Sequence, residues 1–158
     1  MEMKKVYLET SIVSYYTAQP SRDLIVAARQ EITRATWPML VSQFERYVSA
    51  LVLQEAGCGD PDAAQRRLDA IAEIPVIGIS QDARELARNL VAKNVLPKEY
   101  PEDALHVALA CSGGMDFLLT WNFKHLNNVL LKSVIVRAVG ELGLEAPEIC
   151  SPEELLGE

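Results

Sequence analysis

Four polar residues of this sequence lie where a strand ends or where a helix begins or ends, and together they could bind a metal ion. They are Glu9, Glu55, Asp103 and Asn122. Carboxylate and amide oxygens without cysteine are ligands for Mg²⁺ or Mn²⁺ rather than for Zn²⁺. Because close carboxylates repel one another, a cation would be needed to hold them ionised in one pocket. Such a cation lowers the pKa of a bound water and stabilises charge on a phosphodiester.

Each of these residues also has a simpler interpretation. Glu9 could be an exposed acid that ends a strand, Asp103 could serve the dipole of the helix that it opens, and Asn122 could start a turn. Glu55 could be a surface residue, but it lies two residues before Gly57, near a helix C-terminus that disfavours negative charge. A residue that breaks a local rule inside a well-formed element is a candidate functional position.

Three further side chains lie close to these positions in the sequence. Lys124 and His125 follow Asn122 and could contact phosphate, or they could be ordinary surface residues. His106 lies one turn after Asp103 and shares a helix face with it. We expect His106 to be a packed, hydrogen-bonded histidine and neither a ligand nor a general base.

The elements that must position these residues alternate between short strand-like runs and helical patterns. The predicted strands span residues 6–8, 47–48, 75–79, 117–120 and 148–150. The first predicted helix is long, with Ser21 as its cap and Pro38 as its end, and the next spans 50–56 with Ser49 as its cap. Pro61 opens a third helix, and Ser80 or Asp82 begins a fourth. The remaining predicted helices span 104–111, opened by residues 101–103, and 129–142, and residues 151–154 begin a last short helix.

Strands separated by helices require crossover connections and therefore a mainly parallel sheet. We predict an α/β fold with three layers, α/β/α, around a sheet of about four to five strands, and a single domain over residues 1–158. Ligand sites in such sheets form outside the carboxyl ends of the strands. That rule directs attention to Glu9 after the first strand and to Asn122 after the fourth.

Composition narrows the class of protein. An apolar fraction of 49% excludes intrinsic disorder, and no apolar run is long enough for a membrane span. A net charge of -7 disfavours sequence-blind adhesion to nucleic acid or to anionic membranes. The three cysteines are widely spaced and form neither a disulfide framework nor a zinc ribbon. The beginning of the sequence lacks the apolar core of a secretory signal, so we expect a cytoplasmic protein.

Taken in order, residues 6–11, 47–49, 103–110 and 118–122, together with Glu55, resemble a PIN domain. The resemblance covers about residues 4–156 and is closest to the VapC-like toxins of prokaryotic type II toxin–antitoxin systems. It implies a three-layer fold around a parallel sheet, which agrees with the fold predicted above. Its single motifs are unspecific, whereas their order and spacing together are fairly specific.

The resemblance also implies an activity, that of a Mg²⁺- or Mn²⁺-dependent endoribonuclease that hydrolyses RNA phosphodiester bonds. Glu9, Glu55 and Asp103 match the three acids that bind the metal in this family, and Asn122 matches a fourth catalytic position that is often aspartate. It further implies an RNA substrate, a small antitoxin protein as partner, and a homodimer.

Hydroxyl groups near the matched acids could support the metal site. They belong to Thr10, Ser11 and Thr120. Two departures from the family pattern bear on the activity. Glu9 is one methylene longer than the usual aspartate, and neutral Asn122 removes a charge from a site whose metal affinity depends on carboxylate count.

Two alternatives to the nuclease stay open. One is a non-catalytic PIN-like binding module whose metal site is weakened by Glu9 and Asn122. The other is an unrelated metal-dependent phosphohydrolase on a doubly wound sheet, which ranks last because no second acid follows Glu9 within residues 10–13.

Overall fold

The computed structural model describes residues 2–157, and its central sheet has five strands. In chain order they are β1 Lys4–Leu8, β2 Phe44–Ser49, β3 Val76–Ile77, β4 Phe117–Leu119 and β5 Glu148–Cys150. All neighbouring pairs are parallel, and the spatial order is β3-β2-β1-β4-β5. The predicted parallel sheet is therefore confirmed. β3 is shorter than the predicted 75–79 and lies at an edge, where it pairs with the end of β2.

Eight helices connect and cover the strands within residues 2–157. They are α1 Thr10–Thr17, α2 Leu24–Gln43, α3 Ala50–Ala56, α4 Pro61–Ala70, α5 Gln81–Ala92, α6 Pro101–Ser112, α7 Val129–Glu141 and α8 Pro152–Leu156. This is the three-layer α/β/α arrangement that the sequence predicts. Between residues 2 and 157 no helix is both long and apolar enough to cross a membrane.

Short polar side chains fix where most of these helices begin. Ser49 accepts a hydrogen bond from the backbone of Val52 and so starts α3, directly at the end of β2. Ser80 caps α5 in the same way, as one of the two predicted starts. The predicted cap of α2, Ser21, is wrong, because Asp23 accepts from the Val26 backbone N–H and the helix begins at Leu24.

The prediction that Pro38 ends the second helix is also wrong, because α2 continues through it to Gln43. Pro38 itself is exposed, whereas its neighbour Trp37 is buried in the core, as is Leu40. Tertiary packing of that apolar face thus outweighs the missing backbone N–H and the steric conflict that proline brings to a helix interior.

Replacement of Pro38 by alanine is expected to stabilise the protein by about 1–2 kcal/mol, because it restores a helical hydrogen bond at an exposed position. The gain is smaller than the full cost of an interior proline because alanine frees the unfolded chain. Urea unfolding of both proteins measures the difference. An unchanged or lower midpoint would show that the proline geometry is required for the packing of α2.

The most buried strand is also the one that leads into the candidate site. Val6, Tyr7 and Leu8 of β1 are 0% exposed and lie between β2 and β4. The backbone N–H of Glu9 donates to the carbonyl of Leu119 at 3.1 Å, so the ends of β1 and β4 meet at the same edge of the sheet. The rigid centre of the sheet thus fixes the positions of the residues that follow these two strands.

Candidate metal centre

The carboxylate of Glu9 is buried at the end of β1, with only 8% of the residue exposed. Its Oε1 accepts from the Ser11 hydroxyl at 2.5 Å and from the Thr120 hydroxyl at 2.6 Å, and its Oε2 accepts from the Ser11 backbone at 3.1 Å. Glu9 therefore also acts as the N-cap of α1. A carboxylate oxygen has two lone pairs, so Oε2 keeps one for a further partner.

Glu55 reaches the same edge of the sheet from α3. Its Oε1 accepts from the Thr10 hydroxyl at 2.6 Å and from Nε2 of His106 at 2.7 Å, which leaves Oε2 free of hydrogen bonds from the part of the chain that the structure describes. Burial alone would raise the pKa of Glu55, but the hydrogen bond and charge of His106 outweigh burial and lower that pKa. Glu55 is thus held as a carboxylate.

Glu9, Glu55 and His106 each offer a ligand atom, and the three atoms lie within 4.8 Å of one another. Nε2 of His106 is 4.0 Å from Oε2 of Glu9. The two carboxylates, each with an oxygen still able to bind, fit a hard divalent cation such as Mg²⁺ or Mn²⁺. Nε2 of His106 donates its proton to Oε1 of Glu55, so it has no lone pair for the cation while that hydrogen bond is kept. The residues present therefore fit a divalent metal site.

His106 is held from behind by a chain of buried hydroxyl groups. Its Nδ1 lies 2.6 Å from the Tyr7 hydroxyl, which lies 2.9 Å from the Ser49 hydroxyl, and the latter accepts from the Val52 backbone. With Nε2 donating to Glu55, a neutral His106 accepts from the Tyr7 hydroxyl at Nδ1, and a protonated one donates to it. Burial would lower the pKa of His106, but the hydrogen bond to Glu55 and the nearby acids raise it. The packed, hydrogen-bonded histidine expected from the sequence thus orients Glu55.

Asp103 lies in the first turn of α6 and forms a second polar group beside the first. Its Oδ2 is 2.8 Å from Nδ1 of His125, and its Oδ1 accepts from Nδ2 of Asn122 at 3.3 Å. Oδ1 of Asn122 accepts in turn from the His125 backbone. Burial raises the pKa of Asp103, partly offset by His125 and further raised by the charge of Glu9. That coupling shows that the two groups share one electrostatic environment.

The structure thus divides the four predicted site residues into two adjoining pairs. Glu9 and Glu55 converge with His106, whereas Asp103 contacts Asn122 and His125. The three predicted supporting hydroxyls all contact a site carboxylate: Thr10 contacts Glu55, and both Ser11 and Thr120 contact Glu9. Lys124 is exposed, and the contact that its backbone makes, with Asn128, leads away from the site.

A groove of about 380 Å³ opens beside Glu55, between α3 and α6. Its lining residues are Leu51, Gln54, Glu55, Cys58, Pro101, Glu102 and Leu105. The groove gives the exposed side of the Glu55 carboxylate direct access to solvent, which a substrate or a hydrated cation would require.

Comparison with solved structures finds proteins of the same fold. No protein-family profile matches the sequence, and no curated protein matches it either. The VapBC2 structure from Rickettsia felis, bound to a DNA fragment from its promoter, superposes with a TM-score of 0.59 at 15% identity and covers 93% of this chain and 98% of that one. The structure of Mycobacterium tuberculosis VapC20, a sarcin-ricin loop cleaving toxin, superposes with a TM-score of 0.53 at 18% identity over 72% and 86% of the two chains.

The chain therefore has the fold of a VapC-like PIN domain, as the sequence resemblance implies. At identities of 15% and 18% the superpositions show the fold alone. The chemistry of the site has to be argued from the residues of this chain. Within this fold, Glu9, Glu55 and His106 are the group whose ligand atoms lie close enough together to hold a metal ion.

Proposed function

We propose that this protein is a divalent-metal-dependent endoribonuclease that hydrolyses RNA phosphodiester bonds. The observation that supports the proposal best is the convergence of Glu9, Glu55 and His106 within 4.8 Å at the carboxyl edge of the sheet. Parallel α/β sheets form their ligand sites at this edge. The carboxylates of Glu9, Glu55 and Asp103 would hold Mg²⁺ or Mn²⁺, with the hydroxyls of Ser11, Thr10 and Thr120 fixing the first two.

When bound, the divalent cation would activate a water as a Lewis acid and offset the negative charge of the phosphodiester. Oε2 of Glu55 accepts no hydrogen bond from residues 2–157 and would hold the cation, a role that the lowered pKa of Glu55 favours because it keeps the group ionised. Tyr7 is hydrogen-bonded to Nδ1 of His106, and Nε2 of His106 holds the Glu55 carboxylate in place. Asn122 has both amide atoms engaged with Asp103 and His125, so its role is to position Asp103.

Because the chain shares the fold of the VapBC2 structure, we further propose that the protein is a toxin with a small antitoxin protein as partner. From the sequence resemblance alone, we propose that it forms a homodimer. An antitoxin segment that enters the groove beside Glu55 would block access to the site. Co-purification with the product of an adjacent reading frame, and loss of cleavage when the two are mixed, would support this part of the proposal.

The test of the nuclease proposal is cleavage of an unstructured RNA by the purified protein. We expect cleavage with Mn²⁺ or Mg²⁺, none after EDTA, and recovery when the metal is restored in excess. RNA that stays intact under all these conditions while the protein is folded would contradict the proposal. Cleavage that EDTA does not affect would contradict the metal-dependent mechanism.

A second candidate function is a non-catalytic module that binds RNA or a protein without cutting it. Two observations favour it: three hydrogen bonds already occupy the Glu9 carboxylate, and neutral Asn122 stands where the family often has aspartate. Titration with Mn²⁺ under calorimetry separates the two functions. A saturable site that Glu9 contributes to supports the nuclease, and its absence supports the module.

A further inference from the structure

An exposed aromatic ring stands at the rim of the site, where neither the nuclease mechanism nor helix capping uses it. Tyr100 precedes α6 and is 46% exposed, although apolar rings are usually buried. It occupies the N-cap position of α6 but makes no side-chain capping hydrogen bond. Within residues 2–157, the exposed large apolar side chains include two aromatic rings, Tyr100 and Phe123, and both lie within three residues of Asp103 or Asn122.

The Tyr100 ring is held against the site by a second ring. Its centroid is 4.4 Å from that of His125, with 34° between the planes, and His125 is itself bonded to Asp103 at 2.8 Å. The backbone of Asp103 also donates to the Tyr100 carbonyl at 3.2 Å. One side of Tyr100 is therefore packed and fixed, while the rest of the ring faces solvent, so little rotamer freedom would be lost when a flat ligand stacks on it.

Phe123 is less suited to the same use, because a cation already lies over it. The guanidinium carbon of Arg29 is 4.9 Å from the Phe123 ring centre and 5.6 Å from that of Trp121. The groove beside Glu55, by contrast, is bounded by Pro101 and Glu102, the two residues that follow Tyr100 directly. A strand that leaves this groove along the first turn of α6 would meet the Tyr100 ring.

We propose that Tyr100, backed by His125, is a stacking platform for one unpaired base of the RNA strand whose phosphate lies at the carboxylate site. This inference rests on the proposed nuclease function and names its substrate class as single-stranded RNA. A net charge of -7 disfavours strong general attraction between the protein and the RNA backbone. Stacking on an aromatic ring supplies affinity without positive charge and tolerates every base.

The test measures kcat and KM separately for Mn²⁺-dependent cleavage of a short unstructured RNA. Since a stacked base is bound equally in the ground state and the transition state, Tyr100→Ala is expected to raise KM about 5- to 100-fold with kcat nearly unchanged. Tyr100→Phe and Tyr100→Trp keep a stacking face and are expected to retain the wild-type KM. Leu144→Ala, similarly exposed at 43% but beyond the end of α7 at the opposite edge of the sheet, serves as control.

A single abasic nucleotide, moved along the RNA on either side of the mapped cut, identifies the base. At one position we expect the abasic RNA to raise KM for the wild type by the same factor as Tyr100→Ala, with no further increase when the two changes are combined. If the losses multiply at every position, or if Tyr100→Ala lowers kcat at constant KM, the platform is refuted while the nuclease stands. If the wild-type protein cuts no RNA at all, the proposed function fails and the platform fails with it.

Discussion

Substitution of Glu55 by glutamine is expected to lower metal-dependent RNA cleavage by about 100-fold or more, because the carboxylate proposed to hold the cation loses its charge. Glutamine has the same shape, and its carbonyl oxygen still accepts from the Thr10 hydroxyl and from His106. The change therefore removes the charge and leaves the local hydrogen bonds. Initial rates at saturating Mn²⁺, together with the calorimetric Mn²⁺ affinity, measure the effect.

Glu85→Gln is the matched control, because Glu85 is also a helical glutamate but is exposed on α5. We expect it to cleave at the wild-type rate and to melt at the wild-type temperature. If Glu55→Gln also cleaves at the wild-type rate, Glu55 has no part in the reaction. If both variants lose activity in proportion to lost folded protein, the assay reports stability and not catalysis.

A substitution at Glu55 separates an effect on catalysis from an effect on folding better than a substitution at Glu9 does. Three donors converge on the Glu9 carboxylate, from the Ser11 backbone and hydroxyl and from the Thr120 hydroxyl. An amide at this position would bring its own N–H groups against a donor and leave a buried group without a partner, which destabilises by about 1–3 kcal/mol. Lost activity in a Glu9 variant would therefore mix a folding defect with a catalytic one.

The longer side chain of Glu9 explains part of this arrangement. It turns back over the start of α1, where it caps the helix and accepts from Thr120 beyond β4. The same carboxylate thus links two strand ends and belongs to the proposed metal site. Its structural role follows from geometry that a sequence pattern does not contain, since Thr120 is 111 residues away in the chain.

The sheet could be predicted because its local signals agree with one another. Strand-like runs, helix caps such as Ser49, and proline in the first turns of α4 and α6 all indicate the same alternation. The prediction went wrong where packing outweighs local propensity, at Pro38 inside α2. The start of α2 was also misplaced, since Ser21 and Asp23 are both good caps and only tertiary context selects between them.

The candidate site was predictable as a set of residues but not as a set of contacts. The position of Glu55 near a helix end and of Glu9 after a strand indicated the edge of the sheet at which the structure brings these two side chains together. The sequence could not show that His106 contacts Glu55 and that Asp103 contacts His125, because those pairs depend on how α6 lies against α3 and against the segment after β4. A histidine at i+3 from Asp103 was the only available signal, and it is shared with many ordinary buried histidines.

At this site, several acidic side chains are close enough to affect one another. Glu9, Glu55 and Asp103 are close enough for the charge of Glu9 to raise the pKa of Asp103. Nε2 of His106 lies 2.7 Å from Glu55, and Nδ1 of His125 lies 2.8 Å from Asp103. A metal ion would offset the negative charge of the carboxylates, and its affinity depends on how many of them surround it.

Asn122→Asp tests this dependence directly, because it restores the charge that the family pattern often has at this position. The new carboxylate would lie about where the Asn122 amide now donates to Asp103 at 3.3 Å. In metal-free buffer we expect a loss of about 1–2 kcal/mol in unfolding free energy, since a hydrogen bond becomes a repulsion between like charges. With Mn²⁺ we expect the affinity to rise by about 10-fold or more, so that excess metal closes the stability gap.

Thermal melting at a series of Mn²⁺ concentrations measures both effects in one experiment. Asn89→Asp, which adds the same charge at an exposed position on α5, is expected to keep the wild-type metal dependence. A variant Asn122→Asp that is destabilised without metal and is not rescued by Mn²⁺ would show that the cation does not reach the Asp103 pair. The site would then be confined to Glu9, Glu55 and His106, and Asp103 would act on the reaction only through His125.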